Sequence, residues 1–252
     1  MHAFLCLREI SDSALLPLSA TGGGRKATPD CFVTDNQSSV MRLGSLAMCK
    51  VLKDAGMDPI FQLACRDRNR IALESDLLSA AMFGIENILC LTGDHTKMGD
   101  HPQAKPVFDL DSVSLLHTVK LLESGVDLGG NELVGEPPKF SKGAVVSPCS
   151  DSVDAQLAKM ERKVAAGADY FQTQAVFEPE KFIKFMERSR NNWCFLDFLS
   201  YIPNCIGSYT HDQMRQRFYQ RIEKNCNFAT KFIFYKYQYG SDRKSTRLNS
   251  SH

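Results

Sequence analysis

The sequence predicts an α/β protein of the (β/α)8 TIM-barrel type, incomplete, with five βα units in a row. Three observations carry this. Short β-branched runs alternate with amphipathic helical stretches between residues 32 and 188. The runs are apolar almost throughout, as in parallel strands covered by helices. Polar residues gather where the runs end: Thr34-Asp35-Asn36, Arg66-Asp67, Thr92-Gly93-Asp94, and Gln172 with Gln174. In a barrel those ends form one rim, where ligands bind. A doubly wound sheet fits the same alternation and also places them on one edge, so the pattern supports the rim more than the closure.

The elements follow in order. Cys31–Asn36 is a short β-rich run. Ser39–Ala55 carries Val40, Leu43, Leu46, Ala47, Val51 and Leu52 near a 3.6 period, and Gly56 stops it. Pro59–Cys65 is the next strand and Arg70–Phe83 the next helix, stopped by Gly84. Asn87–Thr92 is a buried strand running into Gly93-Asp94. Asp111–Glu123 is a helix with Asp111 or Ser112 near its cap. A Gly/Pro-containing excursion, Ser124–Lys142, interrupts the rhythm. Gly143–Pro148 is a strand and Ser152–Ala166 a helix. Tyr170–Val176 and Pro179–Arg188 form the last unit, with proline in the helix's first turn.

The chain has 252 residues, 43% hydrophobic and 23% charged, a balance that rules out wholesale disorder. A net charge of +1 gives no global bias toward nucleic acid or an anionic membrane. No stretch approaches the roughly 20 apolar residues that span a bilayer, and no secretory signal is evident. The nine cysteines are scattered without a CxxC, which reads as reduced thiols in a cytoplasmic protein.

From Asn191 the character changes. Six of the seven tyrosines and Trp193 lie there, and residues 191–241 contain no valine. Lys and Arg outnumber Asp and Glu nine to four from 191 to 252. The expected organisation is a poorly ordered N-terminus over 1–31, a barrel core over 32–189, and an aromatic-rich tail over 190–241 that does not complete the barrel. The final stretch, 242–252 (DRKSTRLNSSH), matches the translation of a sequencing adapter and is set aside.

Several residues could carry chemistry. Gly93 would let a ligand approach the backbone, and Asp94 at a strand tip could accept hydrogen bonds or simply cap a turn. Gln172 and Gln174 project to one side of their strand; on a barrel interior each needs a partner, from a ligand or from nearby backbone. Arg66, Arg68 and Arg70 alternate with Asp67 and Asn69 and read as a solvated loop with internal pairs. His95 and His101 flank Asp100 without metal-ligand spacing. Thr21–Lys26 (TGGGRK) is a flexible basic loop that lacks the spacing of a phosphate-binding loop.

The stretch from Phe32 to Arg188, with CLTGD at a strand end, ERKVAAGAD on a helix and YFQTQ on a strand in that order, resembles the methylenetetrahydrofolate reductase family, in its short prokaryotic-type form. The resemblance implies a flavin-containing (β/α)8 barrel. It would reduce 5,10-methylenetetrahydrofolate to 5-methyltetrahydrofolate with hydride from FAD, itself reduced by NAD(P)H or another electron donor. It also implies a homo-oligomer or an electron-delivering partner protein, and no nucleic acid or membrane. Carried over, Thr34 would contact FAD, and Gln62 stands where many members have a histidine meeting the flavin. Thr92 replaces a frequent arginine ahead of Gly93-Asp94. Asp94 would lie near flavin and pterin, stabilising cationic folate and tuning the redox potential. Arg162 and Lys163 would hold the FAD phosphates, and Gln174 would hydrogen-bond the pterin.

Two departures stand out. The family's general-acid glutamate, in a Phe-Glu-x-x-Pro-Pro-like sequence, has no counterpart before Phe32; Glu9 in LREIS lacks the prolines and does not inherit the role. The last two βα units expected after Arg188 are replaced by the aromatic-rich stretch. A non-catalytic barrel fragment and a flavin-free pterin-binding transferase barrel therefore stand as alternatives.

Overall fold

The computed structural model of the chain describes residues 30–174, 176, 178–190, 197–203 and 231–235. Five βα units lie in series: β1 (Asp30–Val33), α1 (Ser45–Asp54), β2 (Asp58–Ala64), α2 (Arg70–Met82), β3 (Asn87–Leu91), α3 (Ser112–Glu123), β4 (Ser141–Val146), α4 (Val153–Ala165), β5 (Tyr170–Thr173) and α5 (Pro179–Arg190). Two more strands follow, β6 (Asp197–Pro203) and β7 (Lys231–Tyr235). The sheet therefore continues past residue 189, into the stretch set outside the barrel core on composition. Glu9, the TGGGRK loop and residues 236–252 lie outside the described residues.

The strand order is β1-β2-β3-β4-β5-β6-β7, and every neighbouring pair is parallel. This order decides between the two architectures. A doubly wound sheet reverses its order at a switch point, which sends helices to both faces. With consecutive strands, right-handed crossovers put every helix on one face, and the sheet must curl on itself to cover the other. The result is an incomplete (β/α)8 barrel.

Side-chain alternation separates the two faces. Cys31 and Val33, Phe61, Leu63 and Cys65, Ile88 and Cys90, Ala144 and Val146, and Phe171 join one core cluster with apolar residues of all five helices. The opposite face carries a small cluster built from strands alone: Ile60, Leu89 and Tyr170, with Phe32, Leu91 and Val145 packed against it. That second cluster is the barrel interior. Burying two faces of each strand explains why the runs read as continuously apolar.

Helix starts follow their caps. Asn69, Asp111 and Ser152 accept from the backbone N–H of Ala72, Ser114 and Ala155, satisfying donors that lack a helical partner. The helix expected from Ser39 begins later, at Ser45. Asn36, Ser38 and Ser39 sit at positive φ, so the chain turns sharply before Gly44 and the apolar period of Val40 and Leu43 falls on a loop.

Cys31, Cys49, Cys65, Cys90 and Cys149 are not joined in disulfides, and all but Cys149 are buried. Burial pushes the Cys65 thiol up to about 12 and raises Cys49 and Cys90 further. Among the described residues no helix is long and apolar enough to cross a membrane.

Candidate functional site at the strand ends

Because all strands run one way, their C-terminal ends share one edge. Thr34 follows β1, the Cys65–Asp67 turn follows β2, Thr92–Asp94 follows β3, and Gln174 follows β5. The topology thus brings Thr34, Asp94 and Gln174 to the same edge, and all three are exposed there. Gln174 is anchored through its backbone N–H, which donates to the Val146 carbonyl at 2.8 Å.

The other expected residues take different positions. Gln62 lies on the interior face of β2, in phase with Ile60, and is 7% exposed. Thr92 turns its hydroxyl to the start of α3, where it accepts from the Ser112 N–H at 3.1 Å. Arg162 is exposed on α4. Lys163, half-buried, donates from Nζ to the Val145 carbonyl at 2.5 Å. Burial, helped by Lys159, lowers the Lys163 pKa below its ordinary value. The two basic neighbours therefore part company: one faces water and the other is tied to β4.

Arg66 is the residue that the sequence reading misplaced. It is not in a solvated loop but 2% exposed beneath the rim. Its Nε and Nη2 bind the two carboxylate oxygens of Asp67 at 2.8 and 2.6 Å. Nη2 also donates to the Asn36 carbonyl at 3.3 Å, and Nη1 to the Asp94 carbonyl at 3.4 Å. The hydrogen bond from Arg66 holds the Asp67 carboxyl below its usual range. Gly93, at φ +91, leaves room for this side chain: a Cβ there would stand 3.1 Å from the Arg66 Cβ. The signal was available in the alternation, since Ile60, Gln62, Ala64 and Arg66 share one phase.

Arg66 keeps its internal pair with Asp67, whereas the neighbouring arginines pair across elements. Arg68 reaches Asp35 at 2.7 Å and Asp76 at 2.8 Å. Asp35, fully buried, accepts in addition from the Ala64 N–H. Arg70 makes a forked pair with Asp109. The histidines serve the loop: His95 accepts from the Lys97 N–H, and His101 pairs with Asp100, which accepts from the Met41 N–H.

A parallel barrel-type sheet with its polar side chains collected at the C-terminal strand edge defines a class of ligand-binding α/β proteins. Within that class, the family model described as methylenetetrahydrofolate reductase matches residues 25–220, and the chain belongs to that family. The chain is similar to methylenetetrahydrofolate reductase 2 of Schizosaccharomyces pombe, 30% identical over 152 residues. That alignment covers 59% of this chain and 23% of the yeast protein, so the chain spans about a quarter of that relative's length. Among solved structures, a Clostridium thermocellum protein that binds two copies of 5-methyl-5,6,7,8-tetrahydrofolic acid superposes with a TM-score of 0.46 at 14% identity. The superposition covers 89% of this chain and 69% of that one; at this score it adds nothing to the fold assignment, which rests on the strand order.

Proposed function

We propose that this chain binds a flavin and a reduced folate at the C-terminal strand edge and acts in the reduction of 5,10-methylenetetrahydrofolate to 5-methyltetrahydrofolate. The observation that carries this reading is the Gly93-Asp94 turn, held by Arg66 on the same edge as Thr34 and Gln174. Two features support FAD as the ligand: exposed hydrogen-bonding groups at the edge, and Arg162, exposed in the last turn of α4, whose guanidinium would suit a phosphate.

FAD, when bound, would supply the hydride. Thr34 would hydrogen-bond the ring system from the end of β1. Asp94 would place a carboxylate beside the folate and stabilise its cationic form once the ring carrying the one-carbon unit opens. Gln174 would orient the pterin through its carboxamide, and Arg162 would hold phosphate, with Lys163 contributing if it leaves the Val145 carbonyl. The resemblance assigns none of these residues the proton that opens the folate ring, and a positioned acid is worth roughly 10²–10⁴ in rate. Binding should therefore exceed turnover. The electron donor would be NAD(P)H or a partner protein, and the barrel core over 32–189 would carry the site.

Purified chain is assayed for a bound yellow chromophore, for FAD affinity, and for methylenetetrahydrofolate turnover with NADH and with reduced flavin. FAD binding with slow turnover is expected; absence of flavin and folate affinity sinks the proposal. The engagement of Lys163 with Val145 favours a second reading, a pterin-binding barrel without flavin. Folate binding without FAD binding would select it.

A further inference from the structure

Among the described residues, one buried side-chain polar atom has nothing to bond, and it lies on the interior face of the sheet. Gln172 lies on β5 in phase with Tyr170, whose ring is in the interior cluster, while Phe171 between them faces the helices. Its Oε1 is buried and finds no hydrogen-bond donor among the described residues. The register shows why. Gln172 stands level with Val145 on β4 and with Leu199 on β6, and in the interior cluster Val145 is accompanied by Leu91, which stands level with Ala64 on β2. Those side chains are apolar and offer no donor. A buried carbonyl left unsatisfied costs about 1–3 kcal/mol, so the free protein carries a penalty that any apolar side chain of similar size would remove.

We propose that Gln172 is a ligand-binding, specificity-determining residue whose Oε1 accepts a hydrogen bond from an N–H of a heterocycle lodged inside the barrel mouth. Gln172 and Gln174 are two residues apart at the end of β5, Gln174 just past the strand at the exposed edge and Gln172 one step deeper within it. The pair is suited to a planar group presenting donors and acceptors along one side, as a ring lactam with its amine does. Both the pterin of a folate and the isoalloxazine of a flavin have such an edge. This inference rests on the functional reading above and deepens it by naming the residue that reads the buried end of the ring.

The test is Gln172→Leu in the full chain. It is read by melting temperature without ligand and by titration with FAD and, separately, with 5-methyltetrahydrofolate. Removing an unsatisfied carbonyl should leave the melting temperature unchanged or raise it by about 2–4 °C. Affinity for one probe should fall roughly tenfold or more, because the ligand N–H is then buried without a partner. Loss toward 5-methyltetrahydrofolate alone assigns the contact to the pterin; loss toward FAD alone assigns it to the flavin. Gln172→Glu, which keeps an acceptor oxygen, should recover part of the lost affinity. Equal affinity in Gln172→Leu and wild type for a probe that wild type binds overturns this inference alone. So does a loss of affinity accompanied by a lowered melting temperature. Wild-type chain that binds neither probe overturns the functional reading and this inference together.

Discussion

Tyr170 occupies the space that a side chain at Gly143 would fill. A Cβ built on Gly143 would stand 2.2 Å from the Cζ of the Tyr170 ring. The phenol passes over β4 and donates to the Ile88 carbonyl on β3 at 2.8 Å. One residue thus ties three strands across the barrel interior. Gly143→Ala should destabilise the chain by about 1–3 kcal/mol, since the ring has to leave its place. Tyr170→Phe, which keeps the ring and loses the hydrogen bond, should cost about 1 kcal/mol. Urea unfolding midpoints of both variants measure this, and an unchanged midpoint in Gly143→Ala would refute the packing.

Arg66→Lys keeps the charge and loses the fork. An ammonium cannot serve both oxygens of Asp67 and two loop carbonyls at once. The variant should lose about 1–3 kcal/mol and bind folate more weakly, because the Asp94 turn loses its anchor. Wild-type stability and folate affinity in Arg66→Lys would count against the role.

The Arg70–Asp109 pair predicts a specific acid dependence. The hydrogen bonds from Arg70 hold the Asp109 carboxyl down at about 2, from an ordinary value of 3.8. A depressed carboxyl stabilises the fold above its unfolded pKa, and that contribution disappears as pH falls through the folded one. The stability difference between wild type and Arg70→Gln should therefore be constant above pH 5 and shrink between about pH 4 and pH 2. A difference independent of pH in that window would exclude the pair.

Arg162→Gln tests the phosphate assignment without disturbing the core. Arg162 is exposed, so stability should stay within about 0.5 kcal/mol of wild type. FAD affinity should drop roughly tenfold or more if the guanidinium holds phosphate. Affinity for a flavin lacking phosphate, such as lumiflavin, should not change; equal losses for both ligands would remove the assignment.

Brief alkylation with iodoacetamide should modify Cys149 well before Cys49, Cys65 and Cys90. The buried thiols have raised pKa values, and the thiolate is the reacting species. Peptide mass mapping reads the order, and early modification of Cys90 would contradict the placement of β3.

The βα units were legible because the strands are largely apolar on both faces and α1 to α4 are bounded by a cap or a glycine, as at Asp111 and Gly84. The rim was legible for the same reason: Thr34, Asp94 and Gln174 interrupt apolar runs at their ends. The late start of α1 was not, because Val40 and Leu43 keep a helical period while Ser38 and Ser39 adopt left-handed backbone. Nor were β6 and β7. Lys231–Tyr235 is a short apolar run that periodicity does not distinguish from helix, and its place in the sheet comes from pairing with β6. Arg66 was misread because a charged residue amid alternating charges looks solvated; its burial depends on carbonyls brought from β1 and β3, distant in sequence. The family match to residue 220 extends past the point where the composition shifts.

The bonds of Arg66 bear on how this edge can move. Asn36, Asp67 and Asp94 belong to three successive connections, yet one guanidinium holds all three. The outer parts of the first and third connections are locked as well: a Cβ at Gly99 would stand 1.8 Å from the Ser39 carbonyl oxygen, and Asp100 accepts from Met41. For the first or the third of these loops to swing out, its bond to the Arg66 guanidinium has to break. The β1–β3 side of the mouth is thus cross-tied through one buried side chain, and Asp94 stands on that tied side. On the opposite side of the mouth the tie is different in kind: Gln174 is joined to the neighbouring strand β4 through its backbone N–H, which reaches the Val146 carbonyl.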